Sequence, residues 1–136
     1  MNSEMSELEP KPLIAIRGGG TLPSESFGIV NATWPFAYLQ ADEQVVQVDL
    51  TWPWKKPPFN PAATVGQRRP TWIRQWSELK QVVTAGQTVV FLSKSGRGCR
   101  FIAVVYWELA FVLSLAESHG IEQLEVASTL PYTMRI

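Results

Sequence analysis

Few side chains in this 136-residue chain could carry out chemistry. There is one histidine, His119, and one cysteine, Cys99. A structural or catalytic metal needs several nitrogen, sulfur or oxygen ligands held together, so no His/Cys metal site is expected and no cofactor is implied. A Gly-x-Ser-x-Gly elbow, which lifts a serine nucleophile onto a strained turn, does not occur. The glycine-rich stretches RGGGT (17–21) and SKSGRG (93–98) lack the spacing of a phosphate-cradling loop, and both read as turns. His119 reads as a surface residue near a helix end, where a proton on the ring meets the negative pole of the helix dipole. Cys99 sits in a strand-like run and reads as a small buried hydrophobe. The chain is therefore expected to bind without catalysing.

What it would bind is argued from charge. The stretch TWPWKKPPFNPAATVGQRRPTW (51–72) holds three tryptophans, five prolines, four basic residues and no acid. Net charge is zero, yet it is unevenly spread. Residues 1–49 carry a net −5, residues 50–107 a net +8 and residues 108–136 a net −3. Lys55, Lys56, Arg68, Arg69 and Arg74 are the candidate cations for an anionic ligand or an anionic membrane surface, with Trp54 and Phe59 beside them. The competing reading pairs the basic middle with the acidic ends inside the fold. No nucleic-acid partner is expected.

Length and composition bound the rest. A chain this long is one domain with one core. Hydrophobic residues make up 46% and charged residues 18%, a globular balance. The start, MNSEMSELEPKP, is acidic and has no apolar stretch of the kind a signal peptide carries. With a single cysteine, a reducing cytoplasmic setting is expected.

Residues 1–12 read as a disordered acidic tail, residues 13–120 as the domain and residues 121–136 as a C-terminal extension. LIAIR (13–17) reads as a short strand ended by Gly18, Gly19 and Gly20, and TLPSES (21–26) as loop. The strongest periodic signal is ATWPFAYLQADEQVVQVDLTW (32–52). Trp34, Phe36 and Tyr38 alternate on one arm, and Val46, Val48 and Leu50 on the other, around a turn at ADEQ. Matching the even-numbered faces pairs residues whose numbers sum to 86, setting Phe36 by Leu50, Tyr38 by Val48 and Trp34 by Trp52. After a long proline-broken connection, Trp72–Trp76, TVVFLSK (88–94) and CRFIAVV (99–105) read as strands, with WSELKQVV (76–83) of mixed period. YWELAFVLSLAESHG (106–120) reads as a helix closed by Gly120.

The helix has two apolar stripes. Tyr106, Leu109, Val112, Leu113 and Ala116 form the core stripe, and Trp107, Phe111 and Leu115 a second one that needs a cover. The extension 121–136, with Leu124, Val126, Leu130 and Tyr132, is the nearer cover, and a second copy or a protein partner is the other. Trp107, Phe111 and Leu115 are thus the candidate interface, and protein–protein contact is the leading expectation.

This order of strands, with the hairpin 32–52, WSELKQVV leading into TVVFLSK, and CRFIAVV running into the helix, resembles the pleckstrin-homology-like superfold, in particular small bacterial PH-like and GRAM-like domains. The resemblance covers about residues 30–120. It implies an α+β chain: a PH-like barrel, or two near-orthogonal antiparallel sheets, capped by one C-terminal helix. PH-like domains are commonly used to bind phosphoinositide headgroups or peptides. The basic first-hairpin loop by which PH domains hold phosphoinositides is here the acidic ADEQ, so no headgroup site is carried over.

Overall fold

A computed structural model describes residues 11–24, 28–59, 71–94, 98–104 and 106–126. Among these residues, eight strands and one helix give an α+β chain. The strands are β1 (Ile14–Ser24), β2 (Gly28–Ala41), β3 (Val45–Leu50), β4 (Thr71–Gln75), β5 (Leu79–Ala85), β6 (Thr88–Ser93), β7 (Cys99–Ala103) and β8 (Glu122–Glu125). The helix α1 spans Leu109–Ser118. A 3-10 turn at Trp76–Glu78 joins β4 to β5, and another at Tyr106–Glu108 leads into α1.

Instead of two sheets, the strands make one continuous sheet that does not close, in the order β4-β3-β2-β1-β7-β6-β5-β8. Every pairing is antiparallel except β5 with β8. The sheet is strongly coiled, so that β4 and β1 approach each other although two strands lie between them. Into its concave side pack Leu39, Val46, Val48, Trp72, Val82, Phe91 and Phe101, with Leu109, Val112 and Ala116 of the helix.

β1 belongs to both halves of the sheet, and its glycines make that work. Gly18, Gly19 and Gly20 lie mid-strand and not at a turn, pairing with β2 on one side and with Gly18↔Ala103 through Gly20↔Phe101 on the other. A β-carbon on Gly18 would collide with the Ile102 carbonyl, and one on Gly20 would lie 2.5 Å from the Arg100 carbonyl. Only a residue without a side chain lets β7 come this close.

The hairpin of β2 and β3 is real, but its register is one residue away from the expected one. The pairs are Ala37↔Leu50, Leu39↔Val48 and Ala41↔Val46. The turn decides this. The Asp42 carboxylate accepts the backbone N–H groups of Gln44 (2.7 Å) and Val45 (2.9 Å), and Asp42 N–H donates to the Val45 carbonyl (3.0 Å). That closes a two-residue loop at Glu43 and Gln44, where pairing around 86 needs an odd number. The slip turns the other face of β2 inward. Ala37, Leu39 and Ala41 are buried, while Trp34 is 58% exposed and does not face Trp52 across a ladder.

The helix ends as expected. Gly120 takes a positive φ of 71°, Gly120 N–H reaches the Glu117 carbonyl, and Ile121 N–H reaches that of Ala116. These two bonds form a Schellman cap. The chain then turns to lay β8 beside β5, with the Gln123 amide donating to the Leu113 carbonyl at 3.0 Å. Among the described residues, no helix is long and apolar enough to cross a membrane.

Candidate functional site

The proline-broken segment after β3 forms the site. β3 stops at Leu50, with one more bond from Thr51 N–H to the Phe36 carbonyl (2.9 Å). Pro53 has no N–H to offer a ladder, and the chain turns there, Lys55 N–H donating to the Trp52 carbonyl at 3.0 Å. Residues 55–59 then run across the convex face of β2 and β3, and Pro57 and Phe59 are buried against it.

The prolines leave carbonyls without neighbouring donors, and the sheet supplies the donors from side chains. The Arg17 guanidinium donates to the Lys55 carbonyl (2.8 Å), the Gln40 amide to that of Pro57 (3.1 Å) and the Gln47 amide to that of Pro58 (3.1 Å). Gln47 also donates to the Asp49 carboxylate (2.6 Å), whose other oxygen accepts the Thr71 hydroxyl (2.7 Å). Arg17 lies over the Tyr38 ring, 4.3 Å from its centre. This explains why all six residues of β3 are buried, including Gln47 and Asp49. Buried polar groups need partners, and here their partners pin a loop.

What the pinned segment presents outward is aromatic and cationic. Trp54 stacks on Trp52, with centroids 5.4 Å apart and planes at 10°, and Trp52 meets Phe36 edge-on at 6.0 Å. Trp52 is 57% exposed and Trp54 74%. Lys55 and Lys56 are exposed beside them. Below lies an open groove of about 900 Å³. It exists because β2 bulges: its register with β1 runs from Gly18↔Ala37 to Gly20↔Ala32, so residues 33–36 leave the ladder opposite Gly19 alone. The Trp34–Pro35 peptide in this bulge is cis. The buried and half-buried aliphatic part of its lining, Val30, Ala32 and Leu50, makes its floor, Phe36 and Trp52 its aromatic wall, and the exposed Lys55 and Lys56 its rim.

The expected cation cluster is divided. Lys55 and Lys56 stand together on the rim. Arg74 pairs with Val46, at the far end of β3 from Leu50, and its guanidinium lies 5.4 Å from the Trp72 ring centre while donating to the Ile73 carbonyl. β4 runs antiparallel to β3, which carries Arg74 away from the groove. Arg68 and Arg69 lie outside the described residues. Residues the sequence reading passed over are the bulge with Phe36 and the anchors Arg17, Gln40 and Gln47. Pro35 inside an otherwise strand-like run was the available signal for the bulge.

Trp107, in the 3-10 turn before the helix, is 58% exposed and Phe111 on the helix 59%, while Leu115 is half-buried against the core. Of the extension, residues 122–125 are taken up in β8 with their side chains exposed, so they extend the sheet and leave these two rings open; Leu130 and Tyr132 lie outside the described residues.

Cys99 is fully buried, and burial pushes its thiol well above the ordinary value against a smaller opposing pull from Arg74. His119 is exposed and stacks on Trp76 at 5.9 Å. Among the described residues, no three His, Cys, Asp or Glu side chains group as metal ligands would. No protein-family model, curated protein or solved structure matches this chain.

Proposed function

We propose that this chain is a non-catalytic interaction domain of PH-like, GRAM-like type, which holds an anionic partner at the Trp52–Lys56 ledge. One observation carries the reading: two stacked, exposed tryptophans adjoin two exposed lysines on a segment pinned at three carbonyls. Pinning matters because a pre-ordered site loses less entropy on binding. Tryptophan suits the boundary between water and apolar matter, and lysine suits anionic headgroups or ligands. The PH-like element is supported by the strand order up to β5 and by a helix that follows β7 and fills the concave side. A buried, unreactive Cys99 suits a reducing, cytoplasmic setting.

The test is retention on vesicles. Vesicles with anionic lipid are expected to hold the protein at low salt and release it at high salt, because exposed charges are screened over about 10 Å at 0.1 M. Neutral vesicles are expected to hold it less, and Lys55→Ala with Lys56→Ala to abolish the salt-sensitive part. Equal retention of the double variant would remove the ledge from the reading.

Trp107 and Phe111 favour a second reading, contact with a protein or a second copy across α1. On that reading the protein sediments as a dimer and Phe111→Glu makes it a monomer, because an unpaired charge is costly to bury. A wild type that stays monomeric at high concentration excludes the second copy.

A further inference from the structure

The ledge has a groove beneath it, and the groove has a chemistry of its own. Its floor, Val30, Ala32 and Leu50, is continuous with the hydrophobic core. Among the described residues, its lining includes two lysines and no carboxylate. Its volume of about 900 Å³ falls in the ~300–1,000 Å³ range of small-molecule sites. A bare anion would satisfy the lysines and leave the apolar floor wet. A neutral hydrocarbon would cover the floor and leave the lysines unused.

We propose that the groove takes up one molecule of a single-chain anionic amphiphile. The alkyl chain lies on Val30, Ala32 and Leu50 beside Phe36 and Trp52, and the phosphate or carboxylate head meets Lys55 and Lys56. This rests on the ledge being an anion-binding surface and adds the apolar half of the ligand. The amphiphile enters as a single molecule and not as a patch of bilayer, since Val30, Ala32 and Leu50 are half-buried or buried while Trp52 and Trp54 stand exposed.

The experiment titrates the intact protein with octyl, decyl and dodecyl phosphate, each below its micelle concentration, by calorimetry or by the fluorescence of the exposed tryptophans. Inorganic phosphate and a neutral dodecyl glycoside serve as controls. Affinity is expected to rise about two- to fourfold per methylene, with one molecule bound per chain, and to exceed both controls at least tenfold. Lys55→Ala with Lys56→Ala is expected to lose that advantage over the glycoside. Ala32→Leu, which fills the floor, is expected to lose the amphiphile and keep salt-sensitive retention on anionic vesicles. If Ala32→Leu does not fold, the chain-length series on the unaltered protein decides alone. Affinity independent of chain length, with vesicle retention intact, overturns this inference and leaves the ledge reading standing. Failure to bind both amphiphile and vesicle overturns both.

Discussion

Two pairs of tryptophans sit in similar local sequence and meet opposite fates. Trp52 and Trp54 stand in TWPW, and Trp72 and Trp76 in TWIRQW. The first pair projects into solvent. The second is buried: Trp72 stacks on Phe91 at 5.7 Å, and Trp76 meets Phe91 edge-on while its indole N–H donates to the Asp42 carbonyl at 2.8 Å. Both begin with Thr-Trp, so composition does not separate them. Backbone pairing does. Trp72 lies in β4, with its partner Val48 one strand away, and Trp76 follows directly. Pro53 ends the first run's ladder before its rings can turn inward. Proline acts here as a surface signal by withholding one hydrogen-bond donor.

The contrast is open to direct attack. Trp76→Ala should show the largest effect, a loss of about 3–5 kcal/mol by urea unfolding, from the cavity left in the core. If it costs less than Trp54→Ala, the two pairs are wrongly sorted. Next is the support under the exposed pair. Asp49→Ala removes the buried carboxylate to which Gln47 and Thr71 donate and should cost about 1–3 kcal/mol. It should also loosen the ledge, seen as faster proteolysis near residues 55–59. Unchanged proteolysis would mean that Arg17 and Gln40 hold the segment without Gln47. The smallest effect belongs to Trp54→Ala, expected to change stability by no more than about 0.5 kcal/mol while weakening vesicle retention. A separate check on burial uses Cys99: iodoacetamide at pH 8.5 should leave the folded protein unmodified and label it quantitatively in denaturant, and rapid labelling of the native fold would place the thiol outside the core.

Much of the fold was legible beforehand, for a physical reason. In TVVFLSK, CRFIAVV and the helix, apolar periodicity and turn residues agree, so local and tertiary preferences coincide. The register of the first hairpin was misread because Trp34, Phe36 and Tyr38 looked like an inner face. Alanine is also apolar, and Ala37 and Ala41 are the inner residues, while Tyr38 finds cover on the convex side under Arg17. Period-two alternation marks two faces and does not say which is inside when both are covered. The glycines were read as a turn because their cause, the close passage of β7, comes from residues far along the chain. Lys55 and Lys56 could be named from sequence. The groove could not, since it arises where the β2 bulge, the end of β3 and the pinned prolines meet.

The shared strand β1 also sets an order of events during synthesis. The β2–β4 and β5–β7 meanders are each built from neighbouring stretches of chain and can close early. β1 emerges first, and until Cys99–Ala103 leaves the ribosome its glycine edge, Gly18–Thr21, has no β7 to pair with. Through that interval the nascent chain carries an open edge at its own centre, where another polypeptide could add a strand. The absence of side chains that later admits β7 so closely also leaves Gly18–Gly20 without the charged or bulky side chains that blunt an edge.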